Sequence, residues 1–155
     1  MLDTSILQQV TDVFRTLEAH YTLRISHSPL REESKQLLEF LNDFQGTSSH
    51  LNVEVHETDD DTLGFALLKN GEETGIYFRG IPNGHEFTSL LLAILNADGK
   101  GKNLPDEGVA RRIRALKGDI HLQTFVSLTC TNCPDVVQTL NIFALLNPNI
   151  RHEMV

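Results

Sequence analysis

The same order of predicted elements occurs twice along the chain, and this internal repeat limits the folds that the chain can adopt. An amphipathic helix at 5–18, with Thr4 as its N-cap, is followed by an alternating strand at 21–25, a second helix after Ser28-Pro29 and a strand at 51–55. Helix, strand, helix and strand recur from Pro105 onward, at an offset of about 100 residues. This order predicts an α/β sandwich with parallel strand pairing.

The two copies differ in how far they continue. The first copy goes on through a hairpin at Asn70-Gly71 to a closing apolar helix after Gly84, whereas the second stops after its last strand. A polar, glycine-bearing linker at 97–103 lies between the copies. We therefore predict a complete unit at 1–97 and an incomplete copy at 98–155.

Charge and hydropathy exclude several classes of function. The chain has 155 residues, a net charge of −8 and a pI near 5.3, which argues against a nucleic-acid partner. No apolar run approaches the roughly 18 residues that a membrane-spanning helix needs. The first residues lack the basic and apolar regions of a secretory signal, so we expect a cytoplasmic protein.

Both cysteines of the chain lie in one short motif, Cys130-Thr-Asn-Cys133. A disulfide across a two-residue spacer closes too small a loop to stabilise the fold much. The pair lies between a predicted strand and a predicted helix, which is the setting of a dithiol redox motif. The helix N-terminus favours a thiolate, so we assign Cys130 as the nucleophile and Cys133 as the resolving thiol.

Two other interpretations of the cysteines remain open from the residues alone. A zinc site would need two further ligands, and the candidates, His121 and His152, are not paired with another ligand in the sequence. Alternatively, the pair could be two small buried thiols with no chemical role.

Three segments resemble one family closely. They are Gly84–Ala93 (Gly-His-Glu-Phe-Thr-Ser-Leu-Leu-Leu-Ala), Ser127–Asn141, which contains the cysteine pair, and Leu145–Pro148. Together they resemble the N-terminal domain of the alkyl hydroperoxide reductase flavoprotein subunit. The resemblance implies two contiguous thioredoxin-like folds of three α/β/α layers, the second incomplete here. It also implies that Ser28–Arg31 stands where the first copy would carry its cysteines.

The resemblance implies an electron relay. In that family electrons pass from NADH to FAD, then to a dithiol in the flavoprotein's C-terminal module, then to the Cys-x-x-Cys pair, and finally to a peroxiredoxin. FAD and NADH are expected on modules outside this chain, which lacks a Gly-x-Gly-x-x-Gly sequence. The expected partners are the peroxiredoxin and the C-terminal dithiol module, and a homodimer stays open.

The resemblance also assigns a role to Glu86, the acidic residue of the Gly-His-Glu-Phe motif, which it places near the dithiol in proton transfer. From the residues alone, Glu86 is a first-turn carboxylate that stabilises its own helix, His85 a cap or surface residue, and Asp135 a helix-start charge. The chain ends at Val155, before a cis-proline loop could face the dithiol. We therefore expect weak activity of the isolated chain, or else a non-catalytic interaction module with an inert cysteine pair.

Overall fold

A central strand with one parallel and one antiparallel neighbour forms the sheet of the first of two units into which the chain divides. This computed structural model describes residues 2–59 and 61–155. The first unit comprises the chain up to Glu73 together with Arg79–Ile81, and the second comprises Thr74–Phe78 and Pro82–Val155.

The first unit follows the predicted order of elements. Its helices are α1 (Thr4–Val13) and α2 (Glu32–Gln45), and its strands are β1 (Tyr21–His27), β2 (Leu51–Glu57) and β3 (Gly64–Lys69). In the middle, β1 runs parallel to β2 and antiparallel to β3, and α2 packs against β1 and β2. The fully buried core side chains come from the alternate positions of β1 and the apolar face of α2: Tyr21, Leu23, Ile25, Leu37, Leu41 and Phe44.

Two helix starts differ from the prediction, each because of a nearby polar side chain. The N-cap of α1 is Asp3 and not Thr4, since the Asp3 carboxylate accepts from the Ser5 N–H at 2.6 Å. Helix α2 begins at Glu32 and not directly after Ser28-Pro29. The backbone N–H of Ser28 donates to the Ser34 hydroxyl at 2.9 Å, and this bond holds residues 28–31 in a turn before the helix.

Three parallel strands form the sheet of the second unit. They are β4 (Glu72–Phe78), which begins in the first unit, β5 (Ile120–Thr124) and β6 (Ile150–Met154), with β6 between the other two. The helices are α3 (Phe87–Ala97), α4 (Glu107–Arg114) and α5 (Cys133–Leu146), and both α3 and α4 pack against α5. The predicted α/β class is therefore confirmed. After β6, the described residues of this copy contain no counterpart of the hairpin and closing helix.

Two boundaries in the second unit are shifted from the prediction. Asp106, not Pro105, caps α4, since its carboxylate accepts from the Val109 N–H at 2.9 Å, and the helix ends at Arg114, before Gly118. Strand β5 ends at Thr124. Phe125 therefore lies outside the strand, where 72% of its surface is exposed.

The strand pairs of the two copies have the same register. Tyr21 faces Leu51 in the first parallel pair and Ile120 faces Ile150 in the second, so both members are offset by 99 residues (120 − 21 and 150 − 51). The same offset places Arg31 and Ser34 at the positions of Cys130 and Cys133. This equivalence refines the resemblance-based alignment, which used Ser28–Arg31.

The contact division does not coincide with the boundary expected from the repeat. Helix α3 groups with the second unit because it packs against α5, although it closes the first copy in sequence order. The division of the repeat at 97/98 stays a prediction. Within the described residues, no helix combines the length and the apolar character that crossing a membrane requires.

Candidate dithiol site

The predicted cysteine pair is brought together at the start of α5. Cys130 and Cys133 are joined in a disulfide, with their Cα atoms 5.5 Å apart, and both are half-buried. The helix begins at Cys133, so Cys130 lies three residues before the helix and not within it. Pro134 occupies the first turn of α5, where the missing N–H of proline costs no helical hydrogen bond.

The helix terminus nevertheless acts on Cys130 directly. The backbone N–H of Cys133 donates to the Cys130 sulfur at 3.2 Å, and the Cys130 N–H donates to the Ser127 carbonyl at 2.9 Å. The first N–H groups of a helix lack intrahelical partners and stabilise a negative charge. The contact thus supplies what a Cys130 thiolate needs once the disulfide is reduced.

The loop that leads to the cysteines is supported by a 3-10 turn at Gly84–Glu86. The His85 N–H donates to the Leu128 carbonyl at 3.2 Å. Gly84 adopts a φ of +55°, and a Cβ atom there would lie 2.9 Å from the same carbonyl oxygen. Glycine is therefore required at this position both for its backbone conformation and for the close approach of the loop.

Replacing Gly84 with alanine should destabilise the second unit by about 1–3 kcal/mol, because the substitution combines positive φ with a backbone clash. Gly80→Ala is the matched control, since a Cβ atom at Gly80 meets nothing within 4 Å and its φ is not in the positive range. Urea unfolding followed by circular dichroism measures both variants. Equal stability of the two variants would contradict the close approach at Leu128.

Glu86 is fully buried at the end of this turn. Its Oε1 accepts from the Ser89 hydroxyl at 2.8 Å, and Oε2 is a buried oxygen with no hydrogen-bond partner among the described residues. Burial raises the pKa of Glu86, while the hydrogen bond from Ser89 and the nearby His85 lower it. Its side chain makes no capping bond to the backbone of α3. The helix-stabilising role that the residues alone suggested for Glu86 therefore lacks that contact.

The other candidate residues lie at the surface or in a separate network. His85 is exposed, and Asp135 is an exposed acidic residue in the first turn of α5. His121 lies 3.3 Å from Glu153. The His152 ring is buried between Asn141, at 2.7 Å from Nδ1, and Thr124, at 2.7 Å from Nε2. Within the described residues, no three His, Cys, Asp or Glu side chains group as a metal site would need.

Sequence reasoning missed the partners of both buried titratable groups. Burial lowers the pKa of His152 to about 4, with smaller opposing effects of Glu153 and His121. One signal was present for each network. Ser89 follows Glu86 at the i,i+3 spacing of helical neighbours, and Asn141 is a polar residue within an otherwise apolar helix.

A disulfide between two cysteines that flank a helix start, directly after a parallel strand, defines the class of thioredoxin-like dithiol proteins. The structure of a protein disulfide oxidoreductase from Aeropyrum pernix shares this fold, with a TM-score of 0.80 at 18% identity over 99% of this chain and 76% of the other. The crystal structure of the NTD_N/C domain of alkylhydroperoxide reductase AhpF from Enterococcus faecalis matches with a TM-score of 0.89 and 32% identity, over 100% of this chain and 80% of that chain. The chain belongs to the AhpF family of alkyl hydroperoxide reductase flavoproteins, and it corresponds to their N-terminal domain.

Curated relatives agree with this assignment. The AhpF protein of Staphylococcus epidermidis and a protein of Bacillus subtilis named NADH dehydrogenase are each 39% identical over all 155 residues. The chain spans 30% of the length of either relative. No family model matches the chain. The predicted fold class, two contiguous thioredoxin-like folds with the second incomplete, is confirmed by the solved structures.

Proposed function

We propose that Cys130 and Cys133 form a dithiol relay that passes two electrons to the disulfide of a peroxiredoxin. The observation that carries this proposal is the Cys130–Cys133 disulfide at the start of α5 in a chain of this family. The electrons come from a dithiol of the flavoprotein's C-terminal module. We assign the relay to the cytoplasm, where peroxide-derived disulfides are reduced.

The transfer proceeds by two exchanges of sulfur partners. The Cys130 thiolate attacks one sulfur of the partner's disulfide, which forms a mixed disulfide and releases the first partner thiolate. The Cys133 thiol then loses its proton and attacks Cys130, which closes the Cys130–Cys133 disulfide and releases the second partner thiolate. The partner gains two electrons and two protons, and the relay pair loses the two electrons of its thiols.

We assign Glu86 as the group that exchanges a proton with Cys133. Burial keeps its pKa above the ordinary value, so that the carboxyl can hold a proton nearer to neutral pH than an exposed glutamate. The turn of Glu86 packs against α5, whose first residue is Cys133. In reverse, when an incoming dithiol reduces the relay, the same carboxyl returns its proton to the leaving Cys133 thiolate.

Neither FAD nor NADH is assigned to this chain. We place both on further modules of the flavoprotein, because this sequence lacks the Gly-x-Gly-x-x-Gly pattern that brings a helix N-terminus to a dinucleotide pyrophosphate. Self-association of this chain into a homodimer is likewise left to measurement by analytical ultracentrifugation.

The proposal is tested by mixing the reduced chain with the oxidised peroxiredoxin component of an alkyl hydroperoxide reductase. After an acid quench and maleimide labelling, mass spectrometry should show two thiols gained by the partner for two lost by the chain. A chain whose two thiols are alkylated beforehand is the control.

The rival function is a non-catalytic interaction module with an inert pair. The pH dependence of Cys130 alkylation by iodoacetamide distinguishes the two, since a relay requires a thiol pKa below the ordinary value of about 8.5. A pKa near 8.5 together with no transfer of thiols would overturn the relay in favour of the rival.

A further inference from the structure

A chain of three hydrogen-bonded side chains connects the buried carboxyl to the helix of the dithiol. The Gln138 amide nitrogen on α5 donates to the Ser89 hydroxyl oxygen at 3.3 Å, and Ser89 on α3 donates to Glu86 Oε1 at 2.8 Å. Ser89 and Glu86 are both fully buried. Because α3 packs on α5, the carboxyl is tied to the element that begins with Cys133.

The donors in this chain have only one consistent direction. A serine hydroxyl carries one hydrogen and two acceptor lone pairs, whereas an amide nitrogen only donates. With Gln138 donating to Ser89, the serine hydrogen is left for Oε1 of Glu86. The second carboxyl oxygen, Oε2, has no partner among the described residues although it is buried.

We propose that Ser89, itself held by Gln138, is a positioning residue that fixes Oε1 of Glu86 as an acceptor and leaves Oε2 to carry and exchange the proton. This proposal rests on the proposed role of Glu86. It deepens that role by naming the oxygen that reacts and the two side chains that select it. The hydrogen bonds of Ser89 and Gln138 lead to the carboxyl and not to the sulfur atoms, so both residues act through Glu86.

The proton exchange balances at these atoms. When an incoming dithiol reduces the disulfide, the proton on Oε2 passes to the leaving Cys133 sulfur, and Glu86 becomes a carboxylate that keeps the Ser89 hydrogen bond on Oε1. When Cys133 later attacks the mixed disulfide on Cys130, its proton returns to Oε2. The electrons move between sulfur atoms only, and Ser89 keeps its own hydrogen throughout.

Few other titratable groups surround the carboxyl. His85 precedes Glu86 on the same turn and lowers its pKa. Helix α5 contributes Cys133 and Asp135 near its start, while α3 and the loop at 125–129 contain no titratable side chain. The response of Glu86 to pH therefore depends on burial, Ser89 and His85.

The experiment follows the carbon-13 signal of the Glu86 side-chain carboxyl by NMR in the disulfide form of the whole chain, across a range of pH. Glu86→Gln identifies the signal. Ser89→Ala should raise the pKa of Glu86 by about 1 pH unit, because the carboxylate loses a charge-assisted hydrogen bond. Ser89→Thr, which keeps a hydroxyl, should restore the wild-type titration, and Gln138→Leu should shift it in the same direction as Ser89→Ala.

Thr88→Ala is the matched control, because it removes an exposed hydroxyl from the neighbouring residue. A Glu86 titration that is the same in Ser89→Ala as in the wild type would overturn the positioning role. A merely structural role of Ser89 would change stability and leave this titration in place.

The rate of thiol exchange with the peroxiredoxin, measured against pH, separates this proposal from the one on which it rests. The pH profile of Ser89→Ala should move upward together with the Glu86 titration. If the titration moves and the exchange profile does not, Glu86 lies outside the proton transfer and its proposed role fails. If wild-type exchange is absent at every pH, the relay fails, while the titration still decides whether Ser89 positions the carboxyl.

Discussion

Replacing Cys133 with serine is expected to stop the transfer halfway, with the partner held on Cys130 as a mixed disulfide. The first exchange needs only the Cys130 thiolate, which the Cys133 backbone N–H supports whatever the side chain of residue 133 is. The second exchange needs the Cys133 sulfur, and a serine hydroxyl cannot replace it. The adduct should accumulate to most of the protein within the time in which the wild type completes transfer.

Non-reducing electrophoresis and intact mass measure the adduct. Cys130→Ser is the matched control, because the chain has only two cysteines and each variant therefore keeps one thiol. This control should form little adduct and transfer no electrons, since Cys133 lies within the helix and lacks the N–H contact that Cys130 receives. Equal adduct formation by the two variants would contradict the assignment of Cys130 as the nucleophile.

The stability of the second unit should fall as the pH drops from 6.5 to 4, and His152 should be the main cause. Its pKa lies at about 4 in the fold against 6.5 for the free side chain, so the fold holds the neutral ring. The stabilisation is complete above pH 6.5, and it is lost as the pH falls through this window because the unfolded chain takes up the proton first. The difference between the two pKa values corresponds to about 3 kcal/mol.

Glu86 acts in the opposite sense, because a raised pKa gives stability at low pH that is lost as the pH rises. The measurement is therefore a comparison of variants. His152→Gln should be less stable than the wild type at neutral pH and should show a flatter decline in acid. His20→Gln, at an exposed histidine, should keep the wild-type decline.

Urea unfolding at several pH values, with hydrogen exchange of the β6 amides as a local probe, records these slopes. An unchanged slope in His152→Gln would show that the buried ring is not the source of the acid sensitivity.

Much of the fold could be predicted because hydrophobic period and turn chemistry are local signals. The repeat, the order of strands and helices, and the turn at Asn70-Gly71, where both residues have positive φ, all follow from short stretches of sequence. The exact helix starts depended on competing polar side chains. Asp3 took the place predicted for Thr4, and Ser34 delayed the start of α2 through its bond to Ser28.

The site was only partly predictable, because its second layer consists of contacts between residues that are distant in sequence. The cysteine pair follows from its spacing and its flanking elements, and Glu86 was named through the resemblance. The bond between Gln138 and Ser89 joins residues 49 positions apart, and that between His152 and Thr124 joins residues 28 apart. No local pattern predicts such pairs. The grouping of α3 with α5 likewise depends on packing that crosses the repeat.

The equal register of the two strand pairs has a consequence for how such a domain arises. Ser34 lies at the position of Cys133, fully buried, with its hydroxyl 2.9 Å from His27 Nδ1 and accepting from the Ser28 N–H. A hydroxyl thus fills the space of a sulfur and secures the same loop by hydrogen bonds. After duplication of an ancestral strand–helix–strand segment, one copy was therefore free to diverge chemically while it kept its architecture, which left a single redox centre with a single midpoint potential.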